Sequence, residues 1–168
     1  MKRGLVWILA LAAVLWSGQA FALTEEERSD RINDFAGEVL ESFGTDKASV
    51  VKALGEPVKY SLEKEPNRHE EGVEDTLETL EYDGLQLLLA TVSSEKNHFT
   101  LSLTCTSERF ALRKIRVGEP LNKVLKALGK PDKKTATEAS YETDFITLTF
   151  ELDKKGKIKK IDATLWLD

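Results

Sequence analysis

Residues 50–57 read VVKALGEP, and residues 124–131 read VLKALGKP. A chain of 168 residues thus spells nearly the same eight letters twice. The correspondence runs outward without a gap: Gly44 falls on Gly118, Val50 on Val124, Pro57 on Pro131 and Lys59 on Lys133. An internal repeat decides the whole fold, so it is read before anything else.

Each copy spells a helix and its stop. In the second, Leu121, Val124, Leu125 and Leu128 recur at i, i+3, i+4 and i+7, one face of an amphipathic helix. Lys123, Lys126 and Lys130 fall on the opposite side. Pro120 suits the first turn, where its missing N–H is no loss. Gly129 supplies a left-handed stop and Pro131 prevents resumption. The first copy repeats the logic with Val50, Val51 and Leu54, then Gly55 and Pro57.

After each stop the period changes to two, the mark of half-buried strands. In the second copy FITLTFE (145–151), a DKKGK turn and residues 158–167 read as a hairpin, preceded by two short strands at 133–137 and 139–142. In the first, Leu85–Val92, a turn at 93–97 and residues 98–106 form the matching hairpin. Strands at 76–82 and 58–62 precede it. The copies differ in the acidic stretch EKEPNRHEEGVED (63–75), expected to be an extended hairpin loop. Residues 29–43 add an amphipathic helix, with Ile32, Phe35, Val39, Leu40 and Phe43 on its apolar side. Thr24 with Glu25, Glu26 and Glu27 makes an acidic start for it. The expected fold is α+β: two tandem helix-plus-antiparallel-sheet repeats, 23–106 and 107–168, forming one body with the helices on one face. Separate domains of this size would have marginal cores.

The pattern of Gly, Val, Leu-Gly and Pro, followed by a strand, an aromatic and an amphipathic hairpin, resembles the β-lactamase inhibitory protein-like superfamily. That group includes the small outer-membrane lipoprotein A domain of the β-barrel assembly machinery. Gly44, Val50, Leu54, Gly55 and Pro57 carry the resemblance, as do Gly118, Val124, Leu128, Gly129 and Pro131. It implies helices packed on one face of four-stranded sheets, and a role in binding proteins in the cell envelope. The motif marks a helix–turn–strand junction and contains no catalytic group. The lipidated Cys of the lipoproteins and the disulfides of the inhibitor have no counterpart here.

The N-terminus reads as a secretory signal peptide at 1–22. Lys2 and Arg3 precede an uncharged apolar run from Gly4 to Trp16, and Ala20-Phe21-Ala22 is a small-x-small cleavage signal. Cleavage after Ala22 would deliver the chain to a periplasm, with no transmembrane span left. Without Lys2 and Arg3 there remain 22 basic and 29 acidic residues, which argues against a nucleic-acid partner. Residues 23–106 hold 8 basic and 19 acidic groups; residues 107–168 hold 14 and 10. Such a lopsided field can steer a charged partner. A single cysteine, Cys105, excludes an internal disulfide and reads as a small buried hydrophobe.

Catalytic signatures are missing from the sequence. His69 lies in the acidic stretch without metal-ligand spacing, and His98 begins a strand. Neither a nucleophile elbow nor a glycine-rich phosphate loop occurs. No enzyme activity, cofactor or metal is therefore expected. The expectation is a non-catalytic protein-binding module, an inhibitor or an envelope-assembly accessory, that uses the open face of its sheet. If Ile161, Ala163, Leu165 and Leu167 face the helices, Thr164 and Trp166 point the other way, and an open-face Trp is a strong contact anchor. Tyr141 joins them as a candidate contact, although it sits where Tyr82 does in the first copy, as a shared packing role would place it. Lys154, Lys155 and Lys157 form a basic hairpin tip suited to an anionic contact. The alternative is a small-ligand or metal-ion sensor using the acidic stretch and the cleft between the units.

Overall fold

The computed structural model describes residues 24–67, 70–92 and 97–166. Residues 1–22, expected to be a signal peptide, His69, most of the turn expected at 93–97 and Leu167 lie outside the described residues.

The described residues form three α-helices and eight strands. Helix α1 (Glu25–Leu40) opens on a capping box: the Glu27 N–H donates to Thr24 Oγ1 at 3.2 Å, and the Thr24 N–H to Glu27 Oε2 at 2.9 Å. A 3-10 turn (Glu41–Phe43) and Gly44 lead into α2 (Lys47–Leu54), capped by the Asp46 carboxylate on the Ser49 N–H at 3.0 Å. Helix α3 spans Asn122–Leu128. Gly55 and Gly129 close α2 and α3 with φ of 83° and 79°. Their N–H groups donate to Val51 O at 2.8 Å and Leu125 O at 2.9 Å. Pro120, expected inside the first turn of α3, lies ahead of it. It forms an isolated bridge with Lys157, and its carbonyl accepts from the Lys123 N–H at 3.3 Å, one step before the Leu121 carbonyl accepts from the Val124 and Leu125 N–H groups.

The strands are β1 (Lys59–Pro66), β2 (Glu74–Tyr82), β3 (Leu85–Val92), β4 (Asn97–Cys105), β5 (Lys133–Lys134), β6 (Glu138–Glu142), β7 (Ile146–Leu152) and β8 (Ile158–Leu165). They form one antiparallel sheet in the order β1-β2-β3-β4-β8-β7-β6-β5. The two meanders join at β4 and β8, where Ser102 pairs with Thr164 and Cys105 with Ile161. The acidic stretch expected as a loop is strand at both its ends, 63–66 and 74–75. Glu63 faces Leu77 and Pro66 faces Glu74, and Lys64 binds Glu74 at 2.8 Å. Glu63, Lys64 and Glu65 are consecutive and exposed on both faces of β1, so no period of two marks the strand in the sequence.

One face of this sheet is the core. Leu80, Leu87, Leu103, Ala163, Leu148 and Tyr141 are successive cross-strand partners over six strands, and each is fully buried. They cluster with Ile32, Phe35, Ala36 and Val39 of α1, Val50 of α2, and Val124 and Leu128 of α3. Burying a side chain of this size stabilises by about 1.5–3 kcal/mol before entropy is counted. Two links tie the start of α1 to the second meander. Arg28 binds Asp132 at 2.7 Å, and Thr143 Oγ1 donates to Asn33 Oδ1 at 2.7 Å. Among the described residues no helix is long and apolar enough to cross a membrane.

Candidate functional site: the open sheet face

Strand alternation sends every second residue to the face away from this core. Leu88, Ser102, Thr164, Thr147 and Glu142 form one cross-strand row there; Gln86, Thr104, Asp162 and Thr149 form the next. The face is rich in hydroxyls and mostly part-exposed. Thr104 Oγ1 donates to Asp162 Oδ1 at 2.7 Å, and Lys160 binds Asp162 at 3.0 Å and Glu151 at 3.5 Å. The bond to Asp162 raises the Lys160 pKa against the effect of burial.

Trp166 and Phe145 close one end of this face. The Trp166 N–H donates to Phe145 O at 2.7 Å, continuing the β7–β8 ladder by one step. The indole Nε1–H donates to Thr147 Oγ1 at 3.1 Å, which holds the ring against the hydroxyl face. Trp166 remains 57% exposed and Phe145 54% exposed. Two large aromatics left in water side by side can bury apolar area against a partner, with a hydroxyl shelf beside them for hydrogen bonds.

Trp166 and Thr164 lie two residues apart on one face of the sheet, with Ser102 the direct partner of Thr164 on β4 and Leu88 one strand beyond. Ile161 and Ala163 are buried as the alternation requires, and Leu165 packs against the core. Tyr141 is a correction: it is fully buried, its ring edge-on to Phe150 at 6.3 Å, and its hydroxyl donates to Gly129 O at 2.9 Å. It cannot touch a partner. Burial pushes its pKa up to about 12. Lys154, Lys155 and Lys157 lie at the exposed tip of the β7–β8 hairpin, away from Trp166 along β8. Asp153 Oδ1 shapes that tip by accepting from the Lys155 and Lys157 N–H groups at 2.8 and 2.9 Å. These bonds, the Lys157 one foremost, hold its carboxyl below the usual range. Lys159 is bound to Glu151 at 3.0 Å, so the free tip is those three lysines.

Phe145 was missed because it opens the strand. Extending period two back from Ile146 places it opposite the core and would have found it. Cys105 is fully buried, donating to Ser107 O at 3.4 Å, and burial raises its pKa. His98 is exposed and shares a hydrogen bond with Thr91 at 3.0 Å. Among the described residues no three His, Cys, Asp or Glu side chains converge to hold a metal ion.

No protein-family model and no curated protein matches the chain. Among solved structures it is similar to a DUF4309 family protein (YjgB) from Bacillus subtilis, at 12% identity and a TM-score of 0.42, over 83% of this chain and 95% of that one. It is also similar to an extracellular protein containing an SCP domain from Bacillus anthracis, at 12% identity and a TM-score of 0.36. That match covers 86% of this chain and 48% of the other, so the chain spans about half of it. Likeness at these levels says nothing of function.

Proposed function

We propose that this chain is an exported, non-catalytic binding module that holds a protein partner of the cell envelope on the open face of its sheet, as an inhibitor or an assembly accessory. The observation that carries the reading is the exposed pair of Trp166 and Phe145, beside the hydroxyl row of Thr147, Thr164 and Ser102. Aromatic anchors next to polar groups are the usual source of binding energy at protein interfaces. The signal segment at 1–22, cleaved after Ala22, supports delivery to a periplasm. The likeness between the two halves supports a tandem architecture of the β-lactamase inhibitory protein-like kind. Gly55 and Gly129 end α2 and α3 alike, and Tyr82 and Tyr141 donate to their carbonyls at 3.0 and 2.9 Å.

A photo-crosslinking side chain placed at Thr164 tests the reading in envelope extract. A discrete crosslinked protein that disappears with Trp166→Ala and Phe145→Ala, but survives Lys154→Ala and Lys155→Ala, is the expected result. Crosslinks indifferent to both aromatics would refute it.

A further inference from the structure

The sheet has two edges, and they are unlike. β5 is two residues long, too short to template another strand. β1 is eight residues long, and every one of them is exposed. Its outer side carries backbone N–H and C=O groups that no described strand of this chain pairs. The edge is also apolar along one line. Val58, Tyr60 and Leu62 recur at every second position, and they are three of the five large hydrophobics left exposed among the described residues, at 82%, 38% and 48%. Tyr60 is set in place: its hydroxyl donates to Glu78 at 2.6 Å, and the Lys47 ammonium lies over its ring at 3.5 Å.

Charged residues ordinarily blunt such an edge. Here opposite signs stand symmetrically about Ser61, with Lys59 two residues before it and Glu63 two residues after. When a second copy of β1 is laid antiparallel about a two-fold axis at Ser61, Lys59 stands opposite Glu63 of that copy. Tyr60 stands opposite its Leu62, and Val58 opposite the apolar stem of its Lys64. The axis repeats each pair in reverse. Tyr60 and Leu62 lie on the helical side, since Tyr60 pairs with the core residue Leu80, and Lys59 and Glu63 lie on the open side. Opposite charges therefore meet on one face and apolar groups on the other. Glu63 faces Leu77 in its own sheet, so its cross-strand cation comes only from the second copy. Neighbouring registers match less well. An axis at Leu62 sets Lys59 against Glu65 but Tyr60 against Lys64, and an axis at Tyr60 sets Lys59 against Ser61 and Glu63 against Pro57.

We propose that β1 is a dimerisation edge: two copies of this chain pair antiparallel through residues 58–64 about Ser61, joining their sheets with the helices of both on the same side. Pro66, which has no N–H to give, lies outside this window. The short β5 edge cannot repeat the contact, so assembly closes at two copies. One strand pair covers less than the roughly 1,200–2,000 Å² of a standard stable interface, so the dimer is weak and concentration-dependent. Three strands separate β1 from β8, which leaves Trp166 free for the partner proposed above.

Sedimentation of the purified chain over a range of concentrations should show a reversible monomer–dimer equilibrium. Lys59→Glu alone and Glu63→Lys alone each set like charges opposite one another twice, and each should dimerise at least roughly tenfold more weakly. Mixed one to one, the two variants restore both opposite pairs and should associate again. Both positions are exposed, so melting temperatures close to wild type would separate lost pairing from lost folding. Ser61→Cys puts two thiols on the axis, at the ~4.5–5.5 Å Cα separation of direct cross-strand partners, within reach of a disulfide. It should crosslink when oxidised by diamide, whereas Glu65→Cys, on the same face, should not. A chain that stays monomeric up to about 1 mM, single variants that dimerise as well as wild type, a mixture no tighter than its components, or equal crosslinking of the two cysteine variants would each overturn the proposal. So would dimerisation indifferent to β1 but lost with Trp166→Ala, which would place the contact on the open face.

Discussion

The hydroxyl of Tyr141 donates to the carbonyl of Gly129 at 2.9 Å, bolting the end of α3 to the second strand of its meander. Gly129 O belongs to the helix terminus, where carbonyls lack intrahelical partners. Tyr82 does the same for Gly55 at 3.0 Å, from a half-buried position. Tyr141→Phe removes the partner of a part-buried carbonyl and is expected to cost about 1 kcal/mol in urea unfolding, and Tyr82→Phe less. Burial raises the Tyr141 pKa from its ordinary value near 10 to about 12. The folded state therefore favours the neutral phenol. Its stabilisation is complete below pH 10 and is lost as pH climbs from about 10 towards 12. Wild-type stability should fall across that window more steeply than that of Tyr141→Phe.

Two glycines separate the cost of backbone conformation from the cost of space. Gly129 has φ of 79° and open room around a would-be Cβ, so Gly129→Ala should cost about 1–2 kcal/mol from conformation alone. Gly44 has φ of 108°, and an added Cβ would strike the Ser49 Cβ in the first turn of α2. Gly44→Ala should therefore be the more damaging by denaturant midpoint. Equal losses would show that the 3-10 turn before α2 yields without cost.

The bond between Arg28 and Asp132 joins the first turn of α1 to the loop ahead of β5. Burial opposes charge on Asp132, but the Arg28 guanidinium and the Glu142 N–H, at 2.9 Å, outweigh it and hold the carboxyl below its usual range. The pair contributes stability above the unfolded carboxylate pKa, near 3.9, and loses it as pH falls through the lower folded value. Both groups are partly solvated, so Arg28→Ala should cost about 1 kcal/mol at neutral pH. The difference from wild type should vanish in strong acid, and amide exchange at the start of α1 should report the loosened contact.

Cys105 is expected to be inert in the native state. It is fully buried, and burial disfavours the thiolate, which is the reactive form. Ellman's reagent should label it slowly in buffer and promptly in urea. Fast native labelling would reveal local opening of β4.

Much of the fold was legible because its signals are local. The spacing of Leu121, Val124 and Leu128, the stop at Gly129 and the alternation along Ile146–Leu152 each depend on neighbours within two turns or one strand. What failed depended on distant partners. Glu63–Pro66 of the acidic stretch became strand because β2 supplies their pairing, and charge alone gave no hint of that ladder. Tyr141, offered as a contact, has instead the packing role that its match with Tyr82 suggested, because its hydroxyl finds the Gly129 carbonyl at the end of α3. Trp166 and Thr164 were found by parity on β8, and the same parity applied to β7 would have added Phe145. The turn at Arg113-Lys114, around which Leu112 and Ile115 exchange hydrogen bonds of 2.8 and 2.9 Å, was beyond reach. Both of its residues have positive φ, where Asn and Gly are favoured, so they are the wrong ones for its geometry.

That mismatch makes a last prediction. Left-handed backbone costs a residue with a Cβ about 1–2 kcal/mol, and glycine nothing. Lys114 sits at φ of 67° on the surface, and no ion pair is lost with it among the described residues. Lys114→Gly should therefore raise stability by about 1 kcal/mol, the turn strain relieved less the extra freedom glycine gives the unfolded chain. Arg113→Gly is the control: it relieves similar strain at φ of 47° but forfeits the Glu38 ion pair and the contact with Phe35, so its gain should be smaller or reversed. Thermal unfolding of the two variants reads the difference directly. A loss of stability in Lys114→Gly would mean that the lysine stem is holding the hairpin onto the core, and that the strain argument at this turn is wrong.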